Sequence, residues 1–409
     1  MIDRTRRILG ALAVLLLVVC CENAENGDAD TDTDSDTDSD TDSDTDVDTD
    51  SDTDIDLSEA CGDMSGLLPD SPWPMYQGCP THQGRSAFSG PSNPTESWSF
   101  AATFPLEWFA AATVIAADGT VYHGSEDGHG YAKGNLYALE ADGSRRWMVE
   151  LAGVQAASAI GADGTVYVGS FDGFRAINPD GSEKWHLPDV GEVEHSPVIG
   201  AGSTIYLGTD RLYALDPDGS TRWSFPTDGE VRSAPALDPD GTIYVLGAKL
   251  HALSPEGNEL WNFAGSGLKS SPAIGADGTI YIGGGMLYAL SPDGVEKWSY
   301  DSEDEIKTCP AIGRTGTIYF ATSHGSLEAV NPDGTRRWLF ETGGRFSHHA
   351  PLVDASGTIY VSATESDGLF AVNPDGTLKW SVEGFGSPVI GIDGALYVGA
   401  GNKLLMYAD

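Results

Sequence analysis

The chain has 409 residues and a formal net charge of −40. From residue 57 onward it carries 19 basic and 44 acidic side chains, so it lacks the basic footprint that nucleic-acid binding requires. Hydrophobic residues make up 40%, and they are concentrated in a short N-terminal run and in the region beyond residue 60.

Residues 1–21 place Arg4, Arg6 and Arg7 before a twelve-residue apolar run, Ile8 to Val19, followed by Cys20 and Cys21. That run is too short for an ordinary membrane span, which needs ~20 residues, and the pattern is that of an export signal. It resembles a bacterial lipoprotein signal, in which the Cys after the apolar run is lipidated. Val19 stands where such signals place a small residue, so either Cys20 or Cys21 is the candidate lipid site. The resemblance implies an exported protein, lipid-anchored at the cell envelope on an outer-membrane, periplasmic or surface face.

Residues 22–60 form a tether. Between 28 and 56 every even position is Asp, 15 in all, alternating mostly with Thr and Ser. No core forms from such a tract, and its like charges extend it. At full extension it reaches about 95 Å. It lacks the Gly and terminal Glu of a calcium loop. Residues 61–95 are a pre-propeller segment. Here Cys61 and Cys79 are candidates for a disulfide in an exported protein, which leaves Cys309 as a lone, apolar-type thiol.

Residues 96–409 repeat. SPAIGADGTIYIGGGMLYALSPDGVEKW (271–298) recurs with small edits. The periodic tryptophans are Trp98, Trp147, Trp185, Trp223, Trp261, Trp298, Trp338 and Trp380, spaced 49, 38, 38, 38, 37, 40 and 42 apart. Periods of this size mean a repeat architecture. Within a unit the apolar period is two, and Asp-Gly punctuates each reversal, so each unit reads as four short antiparallel strands. Stacking such sheets around an axis buries both faces and protects the edges. The expected fold is all-β: an eight-bladed β-propeller of four-stranded antiparallel blades. The C-terminal copy (387–409) stops after its third strand, and ESWSF (96–100) is a tryptophan strand with nothing before it, so the N-terminal strand is expected to complete the last blade. The small third-strand residue (Ala214, Ala252, Ala289, Ala329, Ala371) is expected to make room for a neighbouring blade's tryptophan.

The DG-T-hydrophobic-Tyr strand, LYALxPDG and the following Trp resemble the pyrroloquinoline-quinone (PQQ)-like propeller repeat. SPWPMYQGCPTHQGRSAFSGP (71–91) resembles the stretch that precedes such propellers. Two branches of that family matter, the quinoprotein dehydrogenases and non-enzymatic propellers of the BamB-like outer-membrane assembly kind. The dehydrogenase branch implies PQQ with calcium, an adjacent Cys pair and a Glu, Asn and Asp set. The one adjacent Cys pair is Cys20-Cys21 in the signal, and no matching ligand set is found, so no cofactor, metal or catalytic residue is carried over. The linker from third strand to Trp is also one residue shorter than the family's usual tryptophan-docking pattern.

One constellation survives alignment of the blades on the first-strand Pro. Three residues before it stand Ala110, Gln155, Glu194, Arg232, Lys269, Lys307, His348 and Phe385. Arg232, Lys269, Lys307 and His348 are thus expected on one sector of the channel mouth, as a candidate site for an anion or acidic group. Against it stands the reading of a solvated rim neutralised by Asp301, Glu303, Asp304 and Glu305. The expectation overall is a monomeric, lipid-anchored, non-enzymatic binding scaffold whose partner is an envelope protein. The alternatives are small-molecule or glycan recognition at the mouth, and a PQQ-dependent oxidoreductase.

Overall fold

The computed structural model describes Cys61 and residues 63–103, 107–109, 111–127, 133–344, 349–363, 368–384 and 386–409. The signal with Cys20 and Cys21, the acidic tract, Ala110, His348 and Phe385 lie outside them. Eight four-stranded antiparallel sheets follow one another along the chain, and they make an eight-bladed β-propeller. Blade 5 is representative. Its inner strand is Ala273–Ile274, its second Ile280–Gly283, its third Leu287–Leu290 and its outer Glu296–Tyr300. The inner three strands are buried on both faces, as sheets stacked between neighbours must be.

The register explains the repeat. Tyr281 pairs with Ala289, and Ala289 pairs with Trp298. Directly opposed residues share a side of the sheet. The alanine is therefore a gap between two rings, and it lets Tyr281 and Trp298 approach to 5.9 Å between centroids. The same tyrosine–tryptophan approach recurs in blade 4 (5.8 Å), blade 6 (5.7 Å) and blade 7 (5.6 Å). This corrects the expectation that the small residue accommodates a neighbour's tryptophan: it faces the tryptophan of its own blade.

Each tryptophan then reaches the next blade. Its indole N–H donates to the carbonyl of the Pro in that blade's last turn: Trp147 to Pro179, Trp185 to Pro217, Trp223 to Pro255, Trp261 to Pro292, Trp298 to Pro332 and Trp338 to Pro374. The turn glycine lies flat on the same indole. Gly294 has φ +82°, and a Cβ there would fall 2.5 Å from Cδ2 of Trp261. The shortened linker therefore does not prevent tryptophan docking.

The ring closes through both ends of the repeat region. Strand Thr95–Ala101 pairs with Lys403–Ala408 to complete blade 8. Trp98 donates to Ala141 O of blade 1 at 3.0 Å. Blade 8 has no continuous last turn, and Pro91 supplies the carbonyl for Trp380 instead, at 3.1 Å. The chain crosses from blade 8 into blade 1 beside buried Glu107, which accepts from Ser125 Oγ, Asn135 Nδ2 and Tyr137 O–H.

Because every blade is an antiparallel meander, the turns after inner and third strands share one face of the ring. The turns after second strands, and the connections into inner strands, share the other. We call these the turn face and the open face.

Replacing Gly294 by Ala should lower stability by about 2–4 kcal/mol, the sum of a left-handed backbone cost and an overlap with Trp261. Gly202→Ala, at φ +61° with nothing within 4 Å of the added Cβ, should cost only about 1 kcal/mol. Paired denaturant titrations would check both, and equal losses would refute the packing role assigned to Gly294.

Candidate functional site

The channel is closed at the turn face by the pre-propeller segment. Residues 66–90 touch all eight blades. Trp73 O accepts from Ile115 N of blade 1, and Pro74 O from Ile160 N of blade 2. Gly66 sits so close to blade 3 that a Cβ would fall 2.4 Å from Gly200 O. Pro80, Thr81, Gln83 and Gly84 then accept in turn from Leu237, Ile274, Ile312 and Val353, which end the inner strands of blades 4, 5, 6 and 7. At blade 8, Gly90 packs against Ile390, and its N–H donates to Asp354 Oδ2 at 3.0 Å.

This segment is a plug. Trp73, Met75, Tyr76, Gln77 and His82 are all fully buried. Its curvature is held at a backbone cost. Of the five non-glycine residues with positive φ among the described residues, Asp70, Gln77 and His82 are in the plug. His82 Nδ1 lies 3.3 Å from Pro272 O, its ring meets Tyr76 edge-on, and burial pushes its pKa down to about 3, so it is neutral. Cys61 and Cys79 are both disulfide-bonded and pack on each other with Met64. Cys309 is a free, buried thiol whose sulfur is 3.9 Å from His82 O. Sequence reasoning placed 61–95 ahead of the ring and missed its role. The signal was present: Trp73, Met75 and Tyr76 sit beside QGCPTHQGRS, a composition unlike a solvated linker.

Beneath the plug, the first turn of blade 4 holds two carboxylates together. Asp238 accepts from Tyr244 O–H and from the N–H groups of Asp240 and Thr242. Burial first, and the neighbouring Asp240 second, push its pKa up to about 7.

At the open mouth the structure brings Lys269 and Lys307 together, but on a carboxylate. Both bind Glu305, Lys307 at 2.9 Å. Burial pushes the Glu305 carboxyl up, yet the two lysines outweigh it and hold it below its usual range. Arg232 is not in that contact. It stands 4.0 Å from Glu230 with 73% of its side chain exposed. An anion would therefore have to compete with Glu305 for both lysines. Elsewhere on the open face Arg211 pairs with Asp210 at 2.9 Å and Lys249 with Asp228 at 3.0 Å. Gln155 Nε2 donates to Glu126 Oε2 at 2.7 Å. Glu126 is raised by burial and by Asp127, and Glu194 by burial, Glu192 and Glu230. Trp108, 49% exposed, is bridged to Glu126 through the backbone.

A ring of eight tryptophan-linked blades with this repeat defines a PQQ-like β-propeller. The chain belongs to the family described as outer membrane protein assembly factor BamB, which matches residues 92–209, 174–250 and 247–388. No curated protein matches the chain. Among solved structures, BamB from Moraxella catarrhalis is 18% identical with a TM-score of 0.60, covering 78% of this chain and 98% of its own. A europium-containing methanol dehydrogenase is 13% identical with a TM-score of 0.67, covering 84% and 98%. The quinohemoprotein alcohol dehydrogenase from Comamonas testosteroni is 14% identical with a TM-score of 0.66, covering 84% and 81%. At these identities the likeness establishes the fold alone.

Among the described residues no three His, Cys, Asp or Glu side chains are grouped to hold a metal ion. The channel is floored by the chain's own plug.

Two predictions follow from the plug and its seat. Cys79→Ser should cost about 3 kcal/mol, the value for closing a loop of this length, with faster amide exchange at residues 63–78; unchanged exchange would refute the clamp. The folded pKa of Asp238 lies above its unfolded value, so its contribution is complete below pH about 4 and is lost as pH rises through about 7. Asp240→Asn should flatten the fall in stability between pH 4 and 7, followed by thermal melts across that range; an unchanged slope would refute the coupling.

Proposed function

We propose that this chain is a non-enzymatic binding scaffold of the bacterial cell envelope, monomeric, lipid-anchored at Cys20 or Cys21, and bound to another envelope protein. Family membership is the observation that carries this reading, because the matched description names an assembly factor of the outer membrane. The plugged channel supports it. Filling the axis with the protein's own side chains makes the ring rigid and leaves its outer surfaces as the places for recognition. The acidic tract separates anchor from ring and lets the ring search a volume near the membrane.

The test is chemical crosslinking and affinity capture of the full-length protein from its own membrane fraction, followed by mass spectrometry. One envelope protein at near-stoichiometric yield is expected. A folded bait that captures none, and that instead binds an isolated sugar or acidic metabolite saturably, would overturn the scaffold reading in favour of ligand recognition at the mouth. Calcium-dependent uptake of PQQ would overturn the non-enzymatic reading. Double replacement of Cys20 and Cys21 by Ser should move the protein from the membrane to the soluble fraction and abolish incorporation of a fatty-acid label; retention at the membrane with both serines in place would refute the anchor.

A further inference from the structure

We infer that blade 6 carries an anion-binding sector on the turn face, and that its occupant is the chain's own acidic tract, through the carboxylates of Asp48, Asp50, Asp52, Asp54 and Asp56. Docking of the tract goes beyond the scaffold reading and holds or fails without it.

The first turns of the blades reveal the sector. In blades 1, 2 and 5 that turn holds an Asp, and the cation just before the blade's tryptophan reaches back to it. Arg146 meets Asp118 at 3.1 Å, Lys184 meets Asp163 at 2.9 Å and Lys297 meets Asp277 at 3.2 Å. Each of these cations also donates to the Thr two residues after that Asp. Blade 6 keeps the cation and loses the acid. Arg337 donates to Thr317 Oγ1 at 3.3 Å, but Thr315 stands in the place of the Asp. Among the described residues no carboxylate lies within ion-pair distance of Arg337. The residue before Thr315 is Arg314, where blades 2 and 5 have Ala162 and Ala276. Arg314 and Arg337 are both exposed.

The plug adds a third guanidinium. Arg85 lies over the boundary of blades 6 and 7: Gln83 O accepts from Ile312 N, and Arg85 itself bridges to Val353. It is only 3% exposed. Burial first, and the charge of Arg314 second, push its pKa down to about 8. A carboxylate brought to this place relieves the repulsion between the two guanidinium groups and gains charge-assisted hydrogen bonds. The acids of the adjoining turns are engaged locally. Asp333 accepts from the N–H and O–H of Thr335, and Asp354 from Gly90, Ser356, Thr358 and Tyr360.

The occupant follows from charge and reach. The first turns of blades 1, 2, 4, 5, 7 and 8 carry Asp118, Asp163, Asp238, Asp277, Asp354 and Asp393, which repel a polyanion. The tract's 15 aspartates all stand at even positions, so in an extended stretch they fall on one side, about 7 Å apart. The tract joins the ring at the turn face, because Cys61 packs on Cys79 within the plug. Six residues lead from Cys79 to Arg85, a distance of at most about 22 Å. Thirteen lead from Asp48 to Cys61 and span up to about 43 Å. The last five aspartates therefore reach Arg85, Arg314 and Arg337, and the ten before them remain as spacer. A segment of the same chain also acts at an effective concentration that a free anion must match.

The test is double electron–electron resonance on the full-length protein isolated from its membrane fraction, with a nitroxide-bearing amino acid incorporated at Thr53 and at one ring position. Thr335 reports blade 6, and Ser182 reports the corresponding turn of blade 2, across the ring. At about 10 mM salt, where the Debye length is about 30 Å, the distance from Thr53 to Thr335 should be short and narrowly distributed, and that to Ser182 longer. At about 1 M salt, where the Debye length is about 3 Å, the two distributions should become broad and alike. Arg314→Gln with Arg337→Gln should produce the same change at low salt, whereas Arg211→Gln on the open face should not. If the double variant melts early, the salt titration of the parent decides alone. Equal distances to Thr335 and Ser182 at low salt would overturn the docking and leave the scaffold reading standing. A short distance unmoved by salt would overturn the role of charge. Loss of the short distance on dilution with excess unlabelled protein would assign the contact to a second copy and overturn the intramolecular one.

Discussion

The ring depends on one contact made eight times: an indole laid against the next blade's last turn, with its N–H on a carbonyl there. Two requirements meet at that contact. The tryptophan supplies a flat apolar surface and a donor that must be satisfied when buried. In the seven continuous turns, glycine both adopts positive φ and leaves the indole room. A side chain at Gly294 would violate both at once. A net hydrogen bond is worth only about 1 kcal/mol, so no single link holds the ring. The closed circle does, because a blade cannot leave without breaking two such contacts and exposing both faces of its sheet.

A circle also has an axis, and the axis is where the blades alone leave backbone groups unpaired. The inner strands are two residues long, and their last N–H groups point along the channel. The plug supplies carbonyls to six of those groups, Ile115, Ile160, Leu237, Ile274, Ile312 and Val353. The segment is thus in effect a ninth structural element, shared by all blades, and its polar residues and bent backbone follow from that task. Asp354 illustrates the coupling. One carboxylate oxygen accepts from both Gly90 N of the plug and Tyr360 O–H of blade 7, so the plug and the tyrosine–tryptophan row share a partner.

The blades were legible in the sequence because each is specified eight times over. Tryptophan spacing, Asp-Gly turns and period-two apolar runs all agree, and the truncated last copy with the orphan ESWSF strand identifies the closure. The plug was not legible because it occurs once, and its bonds are made by backbone carbonyls that carry no residue preference. The role of the third-strand alanine was assigned to the wrong neighbour for a related reason. A small residue announces a close approach but not from which side, and only the register of Tyr281, Ala289 and Trp298 decides it. At the mouth, alignment put Arg232, Lys269 and Lys307 at one level of the ring. It could not show that Glu305, two residues before Lys307, reaches back to both lysines.

The acidity of this propeller has two origins, and they carry different meanings. The aspartates of the turn face are there because hairpins need them: Asp180, Asp218 and Asp375 each accept from the N–H and the hydroxyl of the Ser or Thr two residues on, and those bonds hold them below the usual range even though they are fully exposed. Their charge is a by-product of turn geometry repeated around a ring. Glu192 and Glu194 satisfy no turn. Their connection is partly copied in the next blade, where Gly191-Glu192-Val193-Glu194 becomes Gly229-Glu230-Val231-Arg232, so the individual feature is Glu194, which burial, Glu192 and Glu230 raise. In a repeat protein the shared residues describe the scaffold, and the chemistry that distinguishes one such ring from another lies where a blade departs from its siblings.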